Sequence, residues 1–157
     1  MKWKNSKKQI FTQNELIQIL KVVAKNKNHK IIVGTDSVKS GEKFVFANAI
    51  CIINDNSFYD RRFFYNKRKV CDDTYYDLSK RLLRETTESV DIAFNIRQKI
   101  NDVNIEIHAD VNTDEQHKSS KYENMIKGYI TGCGFECKVK PDSFVASGIA
   151  DVYTKKH

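Results

Sequence analysis

The sequence predicts an α/β fold on one mixed five-stranded sheet, a three-stranded antiparallel meander followed by parallel strands, with helices on both faces. Three observations lead there. Strand-like apolar runs at 30–37, 44–53 and 58–65 succeed one another across short turn clusters, so they pair as an antiparallel meander. From about residue 73 onward, helix-period and strand-period segments alternate, and right-handed crossovers then set the later strands parallel to the first. Finally, two apolar runs, IIVGTDS at 31–37 and IEIHADVN at 105–112, lead into an aspartate, where an unpaired buried charge is costly.

Taken in order, TQNELIQILKVVAK at 12–25 opens with Thr12 and Glu15 at capping-box spacing and places Leu16, Ile19, Leu20 and Val23 on one helical face. Before it, Lys2, Lys4, Lys7 and Lys8 read as a basic tail. Residues 1–29 are thus tail and helix, and 30–157 the core of a single domain. KIIVGTDS is the first core strand, with Asp36 at its end. SVKSGEK turns the chain into FVFANAICII, apolar enough to be covered on both faces, and NDNS leads into FYDRRFFY. Between 73 and 100, Leu78, Leu82, Ser89, Ala93, Ile96 and Ile100 form one helical stripe. VNIEIHAD is the fourth strand, SSKYENMIKGYITG a helix stopped by Gly132 and Gly134, and FECKVK a fifth strand ended by Pro141. SFVASGIADVYTKK forms the last helix.

Composition narrows the function classes. The length suits one domain with a full core. A net charge of +7 favours a polyanionic partner, nucleic acid first and an anionic membrane surface second. No apolar run approaches the roughly 18 residues of a membrane span, and MKWKNSKKQIF lacks a signal peptide's apolar core, so a cytoplasmic protein is expected. Cys51, Cys71, Cys133 and Cys137 form no C-x-x-C pair and read as reduced thiols rather than a zinc site.

The acidic residues carry the chemistry. In open α/β sheets, ligands gather beyond the carboxyl ends of parallel strands. If the first and fourth strands are neighbours, Asp36 and Asp110 meet there. Glu85 lies on the inward stripe of the long helix, an anomaly that needs a partner. Asp151 supplies a fourth carboxylate, with Ala146, Ser147, Gly148 and Ala150 allowing its helix a close approach. Carboxylates gathered in this way repel unless a cation joins them, and the hard ions Mg²⁺ or Mn²⁺ choose oxygen ligands. Two such ions suit phosphodiester chemistry.

GTDS at 34–37, E-T-x-x-S at 85–89, HADVN at 108–112 and KPDSFVASGIADVYTK at 140–155 resemble the ribonuclease H-like superfamily, and within it the YkuK-type bacterial branch, over about residues 30–156. The resemblance implies that Asp36, Glu85, Asp110 and Asp151 are metal-binding and catalytic carboxylates. Glu88 is a substitute for Glu85, and Asp142 for Asp151 if the last helix starts later. The family's loop after the fourth strand bears a glycine, whereas VNTDEQHKSS here has none.

Each of these residues also has a plainer reading. Asp36 and Asp110 could cap turns, and Glu85 and Asp151 could be solvated helix carboxylates. His108, two residues before Asp110, is either structural or a donor to a carboxylate, and His117 is a candidate proton shuttle. RRFFYNKRK at 61–69 is either a charge-protected edge strand or a grip on nucleic acid through Arg61, Arg62, Lys67, Arg68 and Lys69, with Lys138 and Lys140 flanking the site. The expected function is a metal-dependent nuclease acting on DNA, RNA or a hybrid. The alternative is a non-catalytic nucleic-acid- or protein-binding module. An actin-like phosphotransferase is disfavoured because Asp36-Ser37-Val38 lacks the phosphate-cradling glycine two residues on.

Overall fold

The computed structural model describes residues 1–26, 28–54, 57–111 and 118–155, apart from the side chains at 57–61, 119 and 147. It is built on one mixed sheet. The strands are β1 (Lys2–Lys4), β2 (Ile10–Thr12), β3 (His29–Ser40), β4 (Lys43–Asn54), β5 (Ser57–Val70), β6 (Ile105–His108) and β7 (Glu136–Lys138). The helices are α1 (Gln13–Ala24), α2 (Leu78–Lys99), α3 (Glu123–Gly132) and α4 (Asp151–Lys155), the last continuing a π-helical turn at Val145–Ala150. The sheet order is β2-β1-β5-β4-β3-β6-β7. β3, β4 and β5 form the expected antiparallel meander, and β6 and β7 run parallel to β3.

The sheet therefore has seven strands, not five. Both extra strands come from the residues read as a basic tail. Lys2–Lys4 alternates exposed, buried, exposed, which turns Trp3 into the core while the flanking lysines face outward. Three-residue strands are too short to leave a legible period in the sequence. β1 pairs with β2 as a hairpin and joins the sheet through Lys4 opposite Tyr65. Asn5 shapes the turn, its Oδ1 accepting from the backbone N–H groups of Lys7 and Gln9 at 3.0 Å each. Trp3 is fully buried, and its Nε1 donates to Gln13 Oε1 at 2.7 Å. Gln13 in turn donates to Asn95 on α2. The capping box of α1 is present as expected, Thr12 and Glu15 bonding reciprocally.

A second correction concerns the end of β3. The strand does not stop at Asp36 but continues in pairing with β4 to Ser40, around a turn where Gly41 takes φ +64°. The turn-forming types in SVKS are overridden by the long ladder to β4. What stops near Asp36 is the other neighbour, since the parallel pairing of β3 with β6 ends at Gly34 opposite His108. The side of β3 toward β6 is thus opened at the level of Asp36 and Asp110.

The two faces have separate cores. Ile31 and Val33 pack with Leu16, Leu20, Leu82, Ala93 and Ile126 of α1, α2 and α3. Ile32 packs with Ala47, Ala49 and Cys51 under Val145 and Ala150 of the C-terminal helix. That helix crosses β3 at Gly34, where an added Cβ would stand 2.7 Å from the Ala146 amide nitrogen. Glycine is required there because two backbones touch. The four cysteines form no disulfide, with Cys51 buried and Cys71 exposed. Among the described residues no helix is long and apolar enough to cross a membrane.

Candidate functional site

Alternation along β3 sends Thr35 and Ser37 toward α2, and Gly34 and Asp36 toward the C-terminal helix. Asp36 is 5% exposed. Its Oδ2 lies 3.3 Å from Thr154 Oγ1, a hydroxyl that also reaches the Asp151 carbonyl oxygen at 2.8 Å. Glu85 is buried on α2, where its Oε1 accepts from Ser37 Oγ. It lines one small cavity together with Thr35, Ser89, His108 and Asp110.

The four acids act on one another. Asp36 is pushed up from its ordinary 3.8 to about 9, first by burial, then by the charges of Glu85 and Asp110, and by close side-chain contact with Asp110 and Asp151. Glu85 rises from 4.5 to about 8, again chiefly through burial, with the Ser37 hydrogen bond pulling the other way and Asp110 adding repulsion. β3, α2, the end of β6 and α4 thus each contribute one carboxyl group to a shared neighbourhood.

Two lysines compensate part of this charge. Lys140 Nζ stands 2.8 Å from Asp110 Oδ1, and Lys155 Nζ stands 2.9 Å from Asp151 Oδ2. In this arrangement no three His, Cys, Asp or Glu side chains among the described residues are grouped to hold a metal ion. A cation would have to displace the lysines. The donor set nevertheless fits a hard divalent ion, since it consists of carboxylate oxygens alone.

The remaining expected residues fall elsewhere. Glu88 faces α2's other neighbours, ion-paired with Arg68 and with Arg84 at 2.8 Å, and accepting from Asn48 Nδ2 at 3.1 Å. Arg68 is accordingly engaged in the fold. His108 is buried, and its Nδ1 accepts from the Val145 backbone N–H at 3.2 Å, so the ring proton sits on Nε2 and donates to Glu106 Oε1 at 2.7 Å. Its carboxylate partner is Glu106, held down to about 2 mainly by that bond and helped by Lys30 at 3.1 Å. His108 thus ties β6 to the start of the C-terminal helix. Asp142 is exposed in the turn after β7, and its backbone N–H donates to Val139 O. His117 lies outside the described residues.

The basic run on β5 does not act as one surface. A strand's period of two puts Lys67 and Lys69 on the face of the C-terminal helix and Arg62 and Arg68 on the opposite face. The backbone of Arg61 pairs with Ile53, and its side chain is outside the description. Lys138 is exposed on edge strand β7. Sequence reasoning missed Ser37 and Thr154, which hold Glu85 and Asp36. Their signal was position, since Thr154 lies three residues after Asp151 and so shares its helical face.

A mixed sheet with acids from four elements gathered where two parallel strands end defines an α/β protein with a carboxylate-centred site. The family comparison is more specific: a model described as ribonuclease H-like matches residues 14–155, and the chain belongs to that family. Neither curated proteins nor solved structures give a significant match.

Proposed function

We propose that the protein is a divalent-metal-dependent enzyme that hydrolyses or otherwise processes phosphodiester bonds in nucleic acid. The observation that carries this reading is the mutual approach of Asp36, Glu85, Asp110 and Asp151, two of them buried enough to keep a proton near neutral pH. Evolved folds rarely bury repelling acids without a use for them. Membership of the ribonuclease H-like family points to nucleic acid as the kind of partner.

In this reading Asp36, Glu85, Asp110 and Asp151 would hold Mg²⁺ or Mn²⁺ between them. Such ions, when bound, activate a water and stabilise the leaving oxygen. The chain's own contribution is orientation. Ser37 fixes Glu85, Thr154 fixes Asp36, and the backbone contact at Gly34 sets how near α4 brings Asp151. Lys140 and Lys155, beside the same acids, give a phosphate a further source of positive charge.

The test is incubation with labelled single-stranded, duplex and hybrid substrates, in Mn²⁺ and in chelator, for wild type and Asp36→Asn. Metal-dependent cleavage by the wild type and none by the variant is expected. Equal cleavage by both overturns the reading. The ion pairs of Asp110 and Asp151 favour a second reading, a binding module whose lysines have taken over charge compensation. Calorimetric titration with Mn²⁺ separates the two, because only the enzyme has to bind it.

A further inference from the structure

The family match begins at residue 14, so the N-terminal hairpin, with β1 and β2 at Lys2–Lys4 and Ile10–Thr12, lies outside it. This hairpin is nonetheless built firmly into the molecule. Trp3 is buried in the main core, the Trp3–Gln13–Asn95 relay ties it to α1 and α2, and Asn5 holds the turn. The hairpin is thus a fixed arm that carries lysines on its open face.

Beside the hairpin runs a groove of about 680 Å³, lined among others by Lys2, Lys4, Lys8, Lys67, Tyr65 and Tyr153. Among the described residues four lysines line it and no aspartate or glutamate does. Lys4 stands opposite Tyr65 on β5, and continuing that antiparallel register sets Lys2 opposite Lys67. Along β1 the two lysines are separated by two residues' rise, about 6.6 Å, a step of the kind that separates successive phosphates of an extended strand. At one side Tyr65 and Tyr153 stack at 3.6 Å with their planes 8° apart, which adds an aromatic surface beside the cations.

The groove and Asp36 share a face of the sheet. Asp36 pairs with Ala47, and Ala47 pairs with Lys67, so these residues lie in one row. Two interstrand spacings, roughly 10 Å, separate the ends of that row. Tyr153 lines the groove, and the next residue, Thr154, touches Asp36.

We propose that the hairpin and β5 form a binding track for the sugar–phosphate backbone of a single nucleic-acid strand, which delivers that strand to the carboxylate site. The lysines grip phosphates, and half-buried Tyr153, backed by the buried Tyr65 ring, gives a base a flat surface. The inference rests on the nucleic-acid part of the proposed function but not on its catalytic part. An arm on β1 serves a single strand because its cations are spaced along one line.

The experiment measures fluorescence anisotropy of a labelled single-stranded oligonucleotide in chelator, over a series of salt concentrations. It compares wild type, K2E/K4E/K8E, the neutral K2Q/K4Q/K8Q, Asp36→Asn, and a control, K21E/K25E/K99E, with the same change in net charge on exposed residues elsewhere. The charge-reversed hairpin is expected to bind at least tenfold more weakly and to lose about 2 from the log–log salt slope, at roughly 0.7 per phosphate contact on a single strand. The neutral variant falls between, and the control and Asp36→Asn stay close to wild type. Equal weakening by hairpin and control reversals overturns the proposal, as does tighter binding of duplex than of single strand. With the same variants also incubated in Mn²⁺, a hairpin-dependent affinity without cleavage by any of them sustains the track and sinks the nuclease reading. Cleavage that survives hairpin reversal at full affinity does the opposite.

Discussion

Replacing Asp36 by asparagine removes a charge that the folded chain resists forming. In the unfolded chain this carboxyl ionises near 3.8, and in the folded chain near 9. Between these values the folded state holds a proton that the unfolded state has released, so stability from this group is fully present below about pH 4 and is lost as pH rises toward 9. Each pH unit in that window costs about 1.4 kcal/mol. From pH 5 to pH 8 the ceiling is therefore about 4 kcal/mol, or on the order of 10 °C in melting temperature for a chain of this size. Asparagine carries no such penalty. The assay is thermal unfolding of wild type and Asp36→Asn at half-unit steps from pH 5 to pH 8 in chelator. The variant's melting temperature is expected to gain on the wild type steadily across the series. Repeating it in Mn²⁺ should lift the wild type most at the alkaline end and leave the variant nearly unmoved. Parallel melting curves across the whole range would refute the idea that Asp36 is held protonated by its neighbours.

Three further expectations concern the frame around the site. Gly34→Ala drives a Cβ against the Ala146 backbone, so it should cost about 1–3 kcal/mol and weaken Mn²⁺ binding by shifting α4, and unchanged calorimetry would argue against that coupling. Arg68→Met strips one partner from Glu88 and should destabilise by about 1–3 kcal/mol while leaving Mn²⁺ affinity as in wild type. Gln13→Ala leaves the indole N–H of Trp3, the single tryptophan, without its acceptor. It should cost about 1–3 kcal/mol and red-shift the emission, and an unaltered spectrum would deny that the hairpin is clamped this way.

The parts of the fold that could be read from sequence were those with long periods. α2 shows its stripe over 22 residues, and the meander strands β3 and β4 run 12 residues each, so tertiary packing reinforces what the pattern already says. The hairpin was illegible because its strands have three residues each, and a lysine-rich N-terminus looks the same whether or not it is paired. The end of β3 was misjudged for a related reason. SVKS has turn-forming composition, and only the ladder from Asp36 opposite Ala47 to Ser40 opposite Lys43 keeps it extended. Within the site, Asp36, Glu85 and Asp110 could be singled out because each interrupts an apolar pattern, and Asp151 because of the small residues before it and the family resemblance. Their hydroxyl partners, Ser37 and Thr154, violate nothing and become visible only when α2 and α4 are laid against β3.

The same alternation explains why the basic residues of β5 divide in role. On the α2 face, Arg68 meets Glu88, itself held by Arg84 and Asn48, and the charges there are consumed in joining helix to sheet. On the other face lies Asp36, and Lys67 stands two strands away with Ala47 between them. Ala47 is fully buried beneath the C-terminal helix and is too short to bridge the gap. Lys67 is therefore held at a distance from Asp36 by the register of the sheet, whereas Lys140 and Lys155 meet Asp110 and Asp151 directly. A shift of β5 by one residue would send Lys67 to the α2 face and Arg68 to the groove, exchanging the two roles. What holds the register is the ladder between β4 and β5, from Phe44 opposite Val70 to Ile53 opposite Arg61, together with the Tyr65–Tyr153 stack that clamps β5 against α4. Tyr153→Ala accordingly tests both at once. It removes a groove wall and loosens the clamp, so single-strand affinity should fall about tenfold, the cost of one lost base–aromatic stack. A variant that binds as tightly as wild type would mean that the lysines act without the aromatic surface beside them.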